Sequence, residues 1–231
     1  LASAKKLAKH GMNICIIHRD RKSDMPEIET HFSEIRDCQV AMISLNRDLL
    51  RAEHKKEILN ELNMILGDQG KIKCLLHSVA KGNLKPMAES DSGSLSVLDF
   101  EITKSLFDSK FLSEDCRVIS FTSEGGRKPL HNYGAVSAAK ASLEAITRNI
   151  ALEFAPYGVR ANCIQAGVTD TLSLRMIPGS EELKKHAIKR NPFGRLTHAE
   201  DVANAVYLLC RKEASWINGC IIPVDGGEHL R

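Results

Sequence analysis

The stretch CRVISFTSEGGRKPLHNYGAVSAAKASLEAITRNIALEFAPYGVRANCIQAG (116–167) decides the fold. Its two ends, CRVISFTS (116–123) and VRANCIQAG (159–167), are short, mostly apolar runs without strict alternation, the pattern of strands buried on both faces. Between them the segment 134–155 reads as one long helix, because Val136, Ala139, Leu143, Ile146 and Ile150 recur at steps of three and four. Strand, helix and strand in that order predict a parallel crossover. Lys140 falls inside the apolar seam, and Tyr133 precedes it by seven residues, close to two helical turns. If helical, Tyr133 projects from nearly the same face about 10 Å earlier along the axis. A charge on a packed face calls for a partner or a chemical role.

The same alternation extends outward in both directions. A lysine-bearing helix, LASAKKLAKH, is stopped by Gly11, and NICIIH (13–18) follows as a strand. A helix through HFSEIRD (31–37), a strand QVAMISL (39–45) and a helix from His54 to Leu66 come next. Gly67 and Gly70 lead into KIKCLLHSVA (71–80), and ITKSLFDSKFL (102–112) has a short helical pattern. The chain closes with the helix AEDVANAVYLLC (199–210) and the strand GCIIPVDGG (219–227). These elements predict one α/β domain over residues 1–231, a doubly wound parallel sheet covered on both faces. Ligands in such sheets bind beyond the carboxyl ends of the strands, which places HRDRK (18–22), HSVA (77–80), SFTSEGG (120–126) and QAGVTDT (165–171) on one expected rim.

Composition narrows the function. With 43% hydrophobic residues in a chain of 231, there is enough apolar material for a sizeable core. The 32 basic and 29 acidic residues leave a formal charge of +3, and no long basic block stands apart from helical patterning, so no nucleic-acid partner is expected. No apolar run reaches the length of a membrane span, and LASAKKLAKHG lacks the apolar centre of a signal peptide; the expected location is cytoplasmic. The seven cysteines (15, 38, 74, 116, 163, 210 and 220) form no CxxC pair and read as buried free thiols. The nine histidines show no metal-ligand spacing, and no metal is expected.

Ser123 at a strand end, a lysine seventeen residues later within SAAKASLEAITRNIALEFAPYGVRANCI (137–164), the AGVTDT segment and the ending NPFGRLTHAEDVANAVYLLC…INGCIIPVDGG together resemble the short-chain dehydrogenase/reductase family. That resemblance implies a Rossmann-type sheet and a nicotinamide dinucleotide. The family's usual pattern has tyrosine four residues before the lysine, where this chain has Val136. Tyrosine seven before, with HSVA in place of an NNAG-like sequence, is similar to the divergent branch that reduces the double bond of enoyl-acyl-carrier-protein thioesters. The shift moves the phenol's anchor along the helix by about 4.5 Å. In a carbonyl reductase the hydride lands on the carbon whose oxygen the phenol protonates; in an enoyl reductase it lands two carbons away, and a displaced donor suits a displaced charge.

By this resemblance Tyr133 donates to an enolate oxygen, Lys140 bonds the nicotinamide ribose and supplies positive potential, and Ser123 takes the place of the catalytic serine. Serine is also common at strand ends as a turn residue. His18 and Arg19, with Arg21 and Lys22 close by, suit a 2′-phosphate and hence NADPH, although Asp20 sits among them. Asn46 resembles the adenine-contacting residue, with a turn asparagine as the alternative. Ser78, Ala80, Gly167, Val168 and Thr171 match further cofactor contacts, and Ala166 replaces the usual proline before Gly167. The segment TLSLRMIPGSEELKKHAIKRNP (171–192) lies where the family keeps a substrate lid.

Two gaps stand against the family pattern. The glycine-rich phosphate turn is expected upstream of Leu1, and a segment of about fifteen residues within about 90–105 is expected to be missing, around the polar ESDSGSLS tract. The resemblance implies a homotetramer acting on chains carried by acyl-carrier protein. A 3-oxoacyl or other carbonyl reductase and a non-catalytic dinucleotide-binding regulator are the alternatives.

Overall fold

The computed structural model describes residues 1–49, 51–78, 98–129, 133–177 and 179–231. It falls into two compact units, residues 1–71 and 72–231. In the first, α1 (Ala2–Ala8), α2 (Met25–Arg36) and α3 (Ala52–Leu66) accompany two parallel strands, β1 (Ile14–His18) and β2 (Met42–Asn46), paired from Ile14↔Met42 to His18↔Asn46. Its apolar centre includes Leu7, Ile14, Phe32, Ile35, Leu45, Ile58 and Leu62. β2 starts three residues later than QVAMISL suggests. Gln39 takes a left-handed conformation (φ 59°), and its N–H closes the turn after α2 onto Arg36 O, so the first residues of the apolar run belong to a turn.

The second unit carries four parallel strands in the order β3-β4-β5-β6: Ile72–His77, Leu112–Ser123, Val159–Ala166 and Ile221–Val224. The helices of this unit are α4 (Leu98–Asp108), α5 (Gly134–Glu153), α6 (Leu172–Arg175), α7 (Ser180–Arg190) and α8 (Ala199–Leu209). β4 begins four residues before Cys116 because its register against β3 shifts: Ile72 pairs Leu112, yet Cys74 pairs Arg117. The extra residues form an irregularity over Ser113–Asp115. The parallel α/β architecture agrees with the expectation from sequence.

One face of the sheet is apolar: Cys116, Val118, Val159 and Ala161 pack on Ile150, Ala151 and Phe154 of α5. On α5 itself the buried residues are Glu144, Thr147, Ile150 and Ala151, while Val136, Ala139, Leu143 and Ile146 are half-buried. The expected apolar seam is thus rotated towards a polar stripe, and each polar member has a partner. Thr122 Oγ1 donates to Glu144 at 2.8 Å, and Cys163 Sγ donates to Thr147 Oγ1 at 3.2 Å. All seven cysteines are free, as expected, but only Cys116, Cys163 and Cys210 are fully buried; Cys15 and Cys220 are exposed.

Arg117 is buried to 1% exposure, donating from Nε to Leu209 O at 2.9 Å and from Nη1 to Asp115. The guanidinium's hydrogen bond holds the Asp115 carboxyl below its usual range. A depressed carboxyl stabilises the fold fully above its unfolded value, about 3.9, and the contribution disappears as pH falls through the folded value. Asp115→Asn is therefore expected to lower the melting temperature at neutral pH, with the gap to the parent chain shrinking as the pH is brought below the carboxylate range. A gap constant with pH would contradict the pairing.

Among the described residues, no helix is long and apolar enough to cross a membrane.

Candidate active site

The carboxyl ends of β4, β5 and β6 stand side by side, with Ser123 paired to Ala166 and Ala166 to Val224. Ser123 has an extended backbone and opens the 3-10 turn Glu124–Gly126. Its hydroxyl is buried and has no hydrogen-bond partner among the described residues. A buried hydroxyl left unbonded costs about 1–3 kcal/mol, which suits a position that a polar ligand atom completes.

Lys140 is half-buried on α5 and donates from Nζ to Phe121 O at 2.7 Å, two residues before Ser123. One turn later, Glu144 accepts from Thr122 and pairs with Arg127 at 3.5 Å. Gly126 fits between them: a Cβ there would lie 3.0 Å from Glu144 Oε1 and 3.2 Å from Lys140 Cβ. The turn after β4 and the lysine's helix are thereby fixed to each other.

Tyr133 is not helical. It is the N-cap of α5 (φ −110°, ψ 3°), and its carbonyl accepts the first helical bond from Ser137 N–H at 2.8 Å. The shared-face geometry for a helical Tyr133 therefore does not apply as stated; the residue's backbone is anchored at the helix start, and its side chain is half-buried.

Beyond β5, a Cβ on Gly167 would lie 2.4 Å from Thr197 Oγ1 and 2.8 Å from Asp225 Cβ, so glycine alone fits without displacement. The Val168 backbone is engaged within the protein, its N–H donating to Glu228 Oε2 at 3.1 Å and its carbonyl accepting from Thr197 N–H at 3.1 Å. Thr171 is exposed and caps α6, its Oγ1 accepting from Leu174 N–H at 3.2 Å. Asp170 binds Arg175 at 2.9 and 3.0 Å and Lys184 at 2.9 Å, joining α6 to α7 within the expected lid. Those hydrogen bonds, Arg175's first, hold its carboxyl well below the usual carboxylate range. Leu172 of α6 and Met176, its C-cap, are left about four-fifths exposed.

Ser78 is exposed immediately after β3. His77, ending that strand, is buried, with Nε2 3.2 Å from Thr103 Oγ1 of α4. Ala80 and the tract around 90–97 lie outside the described residues.

In the first unit, His18 and Asn46 are neighbours at the ends of β1 and β2. His18 Nδ1 lies 2.7 Å from the Asp20 carboxylate, and its ring meets Phe32 edge-on at 5.6 Å. Asn46 Nδ2 donates to Asp20 O at 3.1 Å, so it serves the turn after β1. Arg19 remains 63% exposed in its side chain, with Asp48 3.8 Å away.

Sequence reasoning missed Glu144, Glu124, Arg190 and Glu228. Glu144 had a visible signal, a second charge four residues after Lys140 on a buried helix; the others are joined across distant parts of the chain. Burial raises the Glu124 carboxyl, and hydrogen bonds from Lys128 and Arg190 more than reverse this, leaving it below its usual value. Among the described residues no group of three or more metal-ligating side chains forms.

Comparison with known proteins agrees with the fold. The Aquifex aeolicus enoyl-[acyl-carrier-protein] reductase [NADH] is 35% identical over 113 residues, 49% of this chain and 42% of that protein. The Staphylococcus aureus (strain MRSA252) enoyl-[acyl-carrier-protein] reductase [NADPH] is 26% identical over 235 residues, 98% of this chain and 90% of that one. The crystal structure of the Aquifex enzyme superposes with a TM-score of 0.82 at 23% identity, covering 100% of this chain and 91% of its own. The Anaplasma phagocytophilum reductase in complex with NAD gives 0.82 at 18% identity, covering 100% and 86%. The family profile described as enoyl-(acyl carrier protein) reductase matches residues 1–229, and the chain therefore belongs to that family of short-chain dehydrogenase/reductase oxidoreductases.

Proposed function

We propose that the chain reduces the carbon-carbon double bond of enoyl thioesters presented by acyl-carrier protein, with NADPH as the preferred dinucleotide, and that it works in the cytoplasm as a homotetramer. The observation that carries this reading is the placement of Tyr133 at the N-cap of α5, seven residues before a Lys140 that is anchored on β4. The residues present fit a dinucleotide and a thioester: Ser123 offers a buried hydroxyl with no partner among the described residues, and Lys140 a half-buried ammonium.

The dinucleotide supplies the hydride. Tyr133 donates a hydrogen bond to the thioester oxygen as negative charge builds there, and Lys140 holds the ribose and lends positive potential to the phenol. A proton from solvent then completes the α-carbon. The exposed guanidinium of Arg19 suits a 2′-phosphate, which supports NADPH. The relatives divide on this point, the Aquifex enzyme being named for NADH and the Staphylococcus enzyme for NADPH.

A 3-oxoacyl or other carbonyl reductase is the second reading, favoured by the Ser123 hydroxyl, which has no partner among the described residues, at the place of the catalytic serine. Initial rates of NADPH and NADH oxidation with crotonyl and acetoacetyl thioesters separate the two. The crotonyl thioester is expected to be consumed, with kcat/KM higher for NADPH. Consumption of the acetoacetyl thioester alone would establish the second reading.

A further inference from the structure

The expected lid helix α7 ends at Arg190, and one nitrogen of that side chain serves two carboxylates from distant parts of the chain. Nη2 donates to Glu124 Oε2 at 2.6 Å and to Glu228 Oε1 at 2.7 Å. Glu124 directly follows Ser123. Glu228 is 3% exposed and uses its other oxygen to accept the Val168 N–H at 3.1 Å. It is also wedged against the strand end, since a Cβ on Gly167 would come within 2.9 Å of Glu228 Oε2.

A single guanidinium thus joins the end of α7, the turn that carries Ser123 and the backbone beyond β5. Glu124 has a second cation in Lys128; among the described residues Glu228 has only Arg190 and His229 lies on Asp225 instead. Without the guanidinium, two carboxylates would face each other in a part-buried setting, and like charges so placed push apart. Because both bonds leave one nitrogen, the three donors of a Lys ammonium can reproduce part of the bridge, without the rigid plane of the guanidinium.

We propose that Arg190 is a positioning residue: it couples the seating of α7 to the Ser123 turn and, through Glu228, to the Gly167–Val168 backbone. The proposal rests on the reading above that these segments face dinucleotide and substrate. A lid that closes over an acyl chain would then set the backbone beside the nicotinamide through one ion triad.

The test compares the full-length chain with Arg190→Gln, Arg190→Lys and Glu228→Gln, measuring melting temperature, NADPH affinity by fluorescence, kcat and KM with crotonyl thioester, and amide exchange in peptides over 165–171 and 180–190. Arg190→Gln is expected to raise the dinucleotide KM or lower kcat by about ten- to a hundred-fold, as misplacement of about an ångström does. It should also speed exchange at Val168, which Arg190 does not touch. Arg190→Lys should recover part of both. Should Arg190→Gln fail to fold, Glu228→Gln keeps an oxygen for Val168 while dropping the charge that holds Arg190, and carries the same expectations. Unchanged kinetics and Val168 exchange, or losses that follow the melting temperature alone with no recovery in Arg190→Lys, would overturn the coupling. If the parent chain does not reduce crotonyl thioester, the functional reading fails, and NADPH affinity and Val168 exchange still judge the coupling.

Discussion

Tyr133→Phe is expected to lower kcat for a crotonyl thioester by about 10²- to 10³-fold, the loss that follows removal of one hydrogen-bond donor to a developing oxyanion. The melting temperature should stay close to that of the parent chain, because Tyr133 contributes to α5 through its backbone: the carbonyl that accepts Ser137 N–H is unaltered by the change. Dinucleotide affinity should also hold, since Lys140 and its bond to Phe121 O are untouched. A fall in kcat with both other quantities preserved identifies the hydroxyl as part of the chemistry. Equal activity in the two proteins would remove the phenol from the mechanism.

Gly158→Ala should produce the largest loss of stability. Gly158 has φ 80° at the turn between α5 and β5, and a Cβ there would sit 1.8 Å from Glu114 O and 2.5 Å from its carbonyl carbon, both backbone atoms. Two residues after Glu114, the Cys116 N–H donates to Gly158 O at 3.1 Å and starts the β4–β5 pairing, which resists separation of the two segments. Strain from the left-handed backbone adds to the clash. We expect a cost above about 4 kcal/mol, a large share of the 5–15 kcal/mol that stabilises a typical domain. The variant should be recovered mainly as aggregate, or melt many degrees below the parent in circular dichroism. A melting temperature within a few degrees of the parent would show that this turn is not as tight as described.

The strands of the second unit were legible as short runs rich in apolar residues between turn signals; Cys116–Ser120 and Val159–Gln165 are buried almost throughout, although Arg117, Ser120, Arg160, Asn162 and Gln165 interrupt the apolar pattern. Where the sequence misled, the cause was a polar group with a hidden partner or a backbone state that no pattern encodes. The start of β2 depended on a left-handed Gln39, a conformation that residue rarely adopts. The inward face of α5 was read from Val136, Ala139 and Leu143, yet the buried stripe includes Glu144 and Thr147, made tolerable by Thr122 and Cys163 on neighbouring strands. Lys140 could be singled out because a charge within an apolar seam is conspicuous, and Tyr133 by its seven-residue spacing from that lysine. Arg190, Glu124 and Glu228 could not, since each is an ordinary surface-type residue until the fold places them together.

The expected contact roles also differ in how the structure leaves them. Ser123 and Arg19 keep groups that a ligand can engage, whereas Asn46 and Thr171 spend theirs on a turn and a helix cap. Engagement of a cofactor by these last two would require those local bonds to be exchanged.

The most direct measurement follows the hydride itself. Crotonyl thioester reduced in ordinary water with dinucleotide deuterated at the transferring position should give a butyryl product carrying deuterium at the β-carbon and ordinary hydrogen at the α-carbon, read by nuclear magnetic resonance. An unchanged crotonyl thioester, alongside acetoacetyl thioester converted to a deuterated hydroxy product, would contradict the account.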